Sequence, residues 1–361
     1  SLVLEAEAIR IGDPVSSSID PEYALRGDQM FDLMPDQSVL RNVLMVNADT
    51  VELGGFQSYE FNALRSQLEV AAGTGLNLTT ANYVVDPGGI QSSLHGIVGA
   101  ASSTGSNNHP LELVTSGTPL DAFAEVQVLP DYLRNGTDLT LSAGALGPLQ
   151  IGSGAGIRGS AGSDINLNGQ TGIFIDGTIL APAGNITASL SGIGGSARSI
   201  QSRIWLGDQA QLMAPGVSVV NPVNELGLRV GEVLDAGRVS LLADYGSIIG
   251  KPGANINVDA ASAELDVGNN GLLVRKTVSG DAGIIEFVAA ESFIYTGTLS
   301  AQAAGQEGGQ LFVTLDPNRR GARNQRLSGD LFYRREYLAV FEVFSATLPA
   351  SDGLLDDGLK G

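Results

Sequence analysis

The stretch Ala161-Gly-Ser-Asp-Ile-Asn-Leu167 decides the fold, because the same phrase returns along the chain: a turn of small residues followed by alternating apolar residues. Further copies lie at 135–141, 183–190, 236–242, 282–288 and 308–313. The step is 26 residues from Leu139 to Ile165 and 21 from Ile165 to Ile186. From Val239 to Ile284 it is 45, about two such steps. A repeat of this length predicts stacked supersecondary units, which form long rigid surfaces.

Two all-β folds compete for this repeat. Turn dipeptides such as Asn135-Gly136, Asn168-Gly169 and Asn270-Gly271 also mark two-residue β-hairpins, which would indicate a sandwich. The regular step favours a parallel β-helix instead, in which each strand pairs with the same strand one coil later. We therefore predict an all-β, parallel β-helix solenoid with loop excursions and a partly irregular C-terminal segment.

The domain prediction follows the repeat along the chain. Residues 1–316 are predicted to form the β-helix, with excursions at about 13–42 and 86–110, where prolines or polar residues break the alternation. Residues 317–361 are predicted to form a basic loop, a capping element and a flexible tail. The aromatic stretch 331–344 fits either a helix that caps the solenoid or a pair of strands, since open solenoid ends invite aggregation.

Composition narrows the classes of function. The hydrophobic share is 43%, with only 6% aromatic residues and 48 glycines, which fits a narrow core of small aliphatic side chains. The chain has no cysteine, which excludes disulfides, thiolate metal sites and cysteine nucleophiles. A formal net charge of −19 excludes nucleic acid as a main partner, because such a surface repels phosphates.

The start of the chain carries no signal sequence, and no apolar run is long enough to span a bilayer. The segment Leu2-Val-Leu-Glu-Ala-Glu-Ala-Ile-Arg-Ile11 has the pattern of a strand entered midway. We therefore expect this chain to be a piece of a longer protein.

Several phrases together resemble the filamentous haemagglutinin-like exoproteins of bacterial two-partner secretion. The strongest are Ile175-Asp-Gly-Thr-Ile-Leu-Ala-Pro-Ala-Gly-Asn-Ile186 and Trp205-Leu-Gly-Asp-Gln-Ala-Gln-Leu-Met-Ala-Pro-Gly216, with further ones at 55–61, 68–73, 111–116, 154–165 and 236–244. The resemblance implies a right-handed parallel β-helix, export through an outer-membrane two-partner-secretion transporter, and a secreted or bacterial-surface adhesin active in virulence or biofilms. It covers residues 13–42 and 317–361 least.

Three places are candidate binding residues. Arg26-Gly27-Asp28 is an integrin-type tripeptide in a predicted excursion, although three-residue matches often arise by chance and a solvated turn explains it as well. Arg319, Arg320 and Arg323 form a basic loop in an otherwise acidic chain. Trp205 is the only tryptophan; large rings on shallow faces bind sugars, but a position in a core corner or flat at a coil edge is favoured here.

Catalysis and metal binding have weaker support. Asp138 and Asp164 occupy equivalent repeat positions and would stack on neighbouring coils, and Asp176 and Asp208 are further acids that a β-helical polysaccharide lyase or hydrolase could use. Aspartate also starts turns, and no lysine precedes Lys251. No cofactor is predicted; stacked carboxylates would allow occasional Ca²⁺ binding at no defined site.

The sequence therefore predicts a non-enzymatic, rigid adhesive shaft. Its partners would be host-cell or biofilm glycans or a surface protein, contacted through the excursions at 13–42, 86–110 and 317–330. Two alternatives stay open: the stalk of a contact-dependent toxin-delivery exoprotein, and a polysaccharide lyase or hydrolase.

Overall fold

The computed structural model of the chain describes residues 1–12, 43–52, 55–78, 81–85, 124–128, 135–191, 202–223, 226–269, 272–303, 307–315 and 339–341. Strands are numbered along the chain, and three parallel sheets contain most of them. Sheet A contains β1 Leu2–Ala6, β4 Ser58–Ala63, β9 Asp138–Ser142, β12 Asp164–Gly169, β15 Asn185–Leu190, β20 Arg238–Ala243, β25 Ile284–Ala289 and β28 Gln310–Leu315, in this order.

Sheets B and C run beside sheet A along the same axis. Sheet B contains, in spatial order, β3 Val43–Val46, β2 Ala8–Ile11, β5 Leu68–Val70, β10 Leu149–Ile151, β13 Ile173–Ile175, β16 Arg203–Leu206, β21 Ser247–Gly250, β26 Phe293–Tyr295 and β29 Ala339–Phe341. Sheet C contains β6 Gly75–Leu78, β11 Gly156–Gly159, β14 Thr178–Leu180, β17 Gln211–Met213, β22 Asn255–Asn257 and β27 Thr298–Ser300.

The predicted parallel β-helix is confirmed, because each complete coil passes through sheets A, B and C in turn and pairs with the next coil in parallel. The register matches the sequence repeat: Ile165 lies opposite Leu139 on one side and Ile186 on the other. Backbone N–H and C=O groups of each coil are therefore satisfied by its neighbours.

The core is a set of inward-facing rows produced by the two-residue period of the strands. The strand Asp164–Gly169, for example, alternates half-exposed and buried positions, with Ile165 and Leu167 fully buried. Aliphatic residues fill the middle coils, whereas the later coil at β25 and β26 packs Phe287, Phe293 and Tyr295 against one another. Burial raises the pKa of Tyr295 above its ordinary range.

Among the described residues, three antiparallel strand pairs, called hairpins below, interrupt the coils: β7 Ala81–Val85 with β8 Ala124–Val128, β18 Val217–Val220 with β19 Gly231–Leu234, and β23 Ser262–Asn269 with β24 Leu272–Ser279. Each follows a strand of sheet C and precedes one of sheet A. The sequence expectation that 45 residues between Val239 and Ile284 span two coils is wrong. Val239 lies directly opposite Ile285, because the hairpin at 262–279 lengthens a single coil.

A short helix, α1 Ala48–Glu52, packs against β6 near the amino-terminal end of sheet C. The hydroxyl of Tyr59 donates a 2.7 Å hydrogen bond to the carbonyl of Val51 in this helix. Burial raises the pKa of this phenol. Together with β3 on the edge of β2, the helix covers the first coil strands of sheets B and C.

Candidate functional site

The outward face of sheet B carries an apolar row over four consecutive coils. Its strands are three or four residues long, so each coil offers one central outward position, and the register aligns these positions across the sheet. All four side chains are half-buried on the outer surface. We call this set the apolar row: Phe174, Trp205, Ile249 and Ile294.

Two glycines make room for the aromatic rings of this row. A Cβ atom built on Gly172 would lie 2.9 Å from the Phe174 ring. One built on Gly207 would lie 2.9 Å from Cη2 of Trp205 and 2.0 Å from Oδ1 of Asp176. The rings lean toward opposite ends of their strands over these glycines, with their centroids 6.3 Å apart at 49°. Together they form a broad apolar surface.

Polar groups border the tryptophan on one side. Oδ1 of Asp176 accepts a 3.1 Å hydrogen bond from the backbone N–H of Gln209. The side chain of Gln209 in turn accepts a 2.8 Å bond from the hydroxyl of Ser153. The backbone bond from Gln209 fixes the carboxylate of Asp176, which lies beside Gly207 together with the ring of Trp205, and this carboxylate can accept hydrogen bonds from a hydroxylated ligand.

A cation borders the other side. The guanidinium carbon of Arg203 lies 5.4 Å from the centroid of the Phe174 ring, a cation–π arrangement. Beyond it, the hydroxyls of Ser292 and Ser247 are hydrogen-bonded at 2.6 Å. The apolar row thus lies between a cationic margin and an acidic margin.

The four aspartates that the lyase alternative requires all make contacts between coils. Asp138 and Asp164 are adjacent, as predicted: Asp138 accepts the backbone N–H of Asp164 at 3.0 Å, and Asp164 accepts the side-chain amide of Asn185 at 2.7 Å. Asp176 accepts the N–H of Gln209, and Asp208 that of Gly253. Each carboxylate therefore holds the following coil in place.

Two of the hairpins pack side by side and form a second surface feature. The side chain of Asp266 in β23 is only 8% exposed and accepts two hydrogen bonds from Arg275 in β24, at 2.8 and 3.1 Å. It also accepts the backbone N–H of Arg229 from the loop of the other hairpin. The bonds from Arg275 and Arg229 hold the pKa of Asp266 below its usual range. Exposed apolar residues lie on this pair of hairpins: Val223, Leu226, Val230, Leu273 and Val274.

The structure places only one of the predicted site residues. Trp205 faces outward and is half-buried at the central position of the row, so the core-corner alternative is wrong, and its ring lies beside Gly207, which follows β16. Arg26, Gly27, Asp28, Arg319, Arg320 and Arg323 lie outside the described residues, as do the excursions at 13–42, 86–110 and 317–330.

Sequence reasoning missed Phe174, Arg203 and Asp176 as neighbours of Trp205. Phe174 and Trp205 align over a step of 31 residues, which is longer than the steps of 26 and 21 residues found earlier in the repeat. The hairpin at 262–279 was signalled by Asn270-Gly271 between two alternating stretches.

No family model, curated protein or solved structure matches this chain. Among the described residues, no group of three or more histidine, aspartate or glutamate side chains is arranged to hold a metal ion. In the same part of the chain, no helix has the length and apolar character needed to cross a membrane.

Proposed function

We propose that this chain is a rigid shaft segment of a secreted or surface-attached bacterial adhesin, and that the apolar row attaches it to glycans of host cells or biofilms. The proposal includes export of the parent protein through an outer-membrane two-partner-secretion transporter, as the sequence resemblance implies. The shaft acts by position: it holds the binding surface at a fixed place along a stiff rod.

Stiffness is supported by the pairing of the coils. The three sheets contain eight, nine and six strands, all parallel within each sheet. Turn aspartates add side-chain bonds between coils, as when Asp235 accepts the backbone N–H of Asp281 at 2.8 Å. In a solenoid each coil contacts only its neighbours, so stability accumulates along the axis.

The observation that carries the proposal is the apolar row with its polar margins. Exposed contiguous apolar patches mark binding surfaces more often than isolated exposed residues do. A pyranose ring has apolar C–H faces and hydroxyls around its edge, so it can pack on Trp205 while hydrogen-bonding to side chains on either side. The carboxylate of Asp176 lies close enough to the Trp205 ring to form such a bond.

A glycan-array screen of the purified chain tests this proposal, with Trp205→Ala beside it. Met45→Ala is the matched control, because Met45 is an exposed apolar residue in the same outward row of sheet B, five strands away. We expect binding of the wild-type chain to fall at least tenfold in Trp205→Ala and to stay unchanged in Met45→Ala.

Two results would count against the proposal. Folded wild-type chain that binds no glycan would remove the adhesive role from this segment. Binding that survives Trp205→Ala would move the contact site away from the apolar row. Circular dichroism of each variant shows whether the β-helix is retained.

A further inference from the structure

We propose that the sugar held by the apolar row is acidic, with the carboxylate of a hexuronate residue paired to Arg203. This inference rests on the proposed glycan-binding function and adds the chemical class of the ligand. Arg203 is the cation that lies on the margin of the row in the described part of the chain.

Arg203 is held in place beside the aromatic rings. It precedes Trp205 by two residues on β16, so both side chains project from the same face of the strand, with Cα atoms about 7 Å apart. Its guanidinium carbon lies 5.4 Å from the centroid of Phe174. Stacking on a ring restricts the guanidinium, so less conformational freedom is lost when an anion binds.

Arg203 has no carboxylate partner among the described residues. Four other arginines there do: Arg10 pairs with Glu69, Arg65 with Glu7, Arg238 with Glu286 and Arg275 with Asp266. Arg158 and Arg229 also lack an ion pair in that part of the chain, but neither lies on sheet B.

The hydrogen-bonding capacity of Arg203 is also unused. Its Nε is buried without a partner in the described structure, and none of its nitrogens forms an ion pair with a described carboxylate. Acidic residues outnumber basic ones by 39 to 20, yet none of the described ones forms an ion pair with this guanidinium. The free N–H groups beside an apolar surface are suited to a ligand that carries its own anion.

A hexuronate has one group that matches the guanidinium of Arg203 and another that matches the ring of Trp205. Its carboxylate can accept two parallel hydrogen bonds from the terminal guanidinium nitrogens, the geometry in which arginine binds carboxylates best. Its pyranose face can pack against Trp205. The net charge of −19 opposes an acidic ligand at long range, but screening at physiological salt limits that repulsion to about 8 Å, so the local contact decides.

The only tryptophan of the chain lies at this surface, so its fluorescence reports binding directly. We would titrate the chain with oligomers of galacturonate, glucuronate and mannuronate, and with the same oligomers methyl-esterified, at about 0.15 M salt. Esterification removes the charge and leaves the sugar ring unchanged. At least one acid should bind about tenfold more tightly than its ester, as charge-assisted hydrogen bonds imply.

The variants separate the role of Arg203 from general effects. Arg203→Gln should lower the affinity for the acid about tenfold, so that the preference for the acid over its ester is lost. The affinity of Arg203→Lys for the acid should lie between those of the wild type and Arg203→Gln, because lysine keeps the positive charge but lacks the planar guanidinium that binds a carboxylate through two hydrogen bonds. Arg238→Gln is the control, since Arg238 lies on sheet A and already pairs with Glu286.

The titrations distinguish the acidic-ligand inference from the proposed glycan binding. Equal affinity for acid and ester, or an acid preference that survives Arg203→Gln, would overturn the inference while leaving glycan binding intact. If no uronate binds while neutral glycans on the array still bind through Trp205, the inference is overturned and the proposed function remains. Failure of all glycans would overturn the proposed function as well.

Discussion

The outward faces of sheets A and B belong to the same coils and enclose the same core, yet they differ in chemistry. The central outward row of sheet A has apolar residues only at its two ends, Val3 and Phe312, and is polar across the six coils between them: Glu60, Thr140, Asn166, Thr187, Ser240 and Glu286. The corresponding row of sheet B begins with Met45, continues through Arg10, Glu69 and Gln150, and is then apolar from Phe174 to Ile294.

This difference separates what folding requires from what it leaves free. Inward positions of both sheets must be apolar because they fill one core, whereas outward positions face water and need only suit a strand. The polar row of sheet A is the expected solution. Four consecutive apolar residues on sheet B are not needed by the fold, which is why we assign them a binding role.

The largest expected effect comes from Gly207→Ala, which fills the space that the Trp205 ring of the apolar row uses. The added Cβ would meet Asp176 at 2.0 Å and Trp205 at 2.9 Å, so both side chains must move. We expect a loss of about 1–3 kcal/mol in the free energy of unfolding, as for overpacked sites. Urea unfolding measures this loss, and a shift in tryptophan emission reports the displaced ring.

Gly156→Ala is the control for that substitution. Gly156 lies in a strand of sheet C, and a Cβ there meets nothing within 4 Å. Its unfolding midpoint should remain close to that of the wild type. Equal losses in both variants would mean that backbone preference, and not the space beside Trp205, explains the result.

A smaller effect should distinguish the two outward rows directly. Trp205→Ala removes a half-buried ring, and we expect it to cost about 1–2 kcal/mol of unfolding free energy, less than a core tryptophan would. Asn166→Ala on sheet A should change stability by less than about 0.5 kcal/mol, since both residues are poor strand formers. Comparable losses in urea unfolding would contradict the contrast between the faces.

The sequence predicted the architecture because the core imposes its period on every coil. The columns through Leu139, Ile165 and Ile186 recur at steps set by turn length, so the repeat itself shows the pairing. The step from Val239 to Ile284 was wrongly predicted to span two coils because a hairpin adds residues without adding a coil. Its strands alternate like those of the coils, and alternation does not reveal whether pairing is parallel or antiparallel.

The candidate site was predictable only in part. Trp205 attracted attention as a single large ring, but its neighbours come from another coil, 31 residues earlier at Phe174. Each strand of sheet B has only one or two outward residues, so no local pattern identifies the row. The glycines that make room for the rings, Gly172 and Gly207, are indistinguishable in sequence from ordinary turn glycines.

The smallest expected effect concerns the cations of the two faces. On sheet A, Arg238 lies 3.5 Å from Glu286, which also accepts a 3.0 Å bond from Ser240. Glu286→Gln should lower the free energy of unfolding by about 0.2–1 kcal/mol, as for exposed ion pairs. The loss should disappear near 1 M salt, where the screening length falls to about 3 Å.

Arg203→Gln on sheet B should show no salt-dependent loss, because Arg203 has no ion pair among the described residues to lose. Parallel urea titrations at low and high salt measure both variants, and a salt-sensitive loss in Arg203→Gln would mean that a carboxylate of the chain already occupies the place we assign to a ligand.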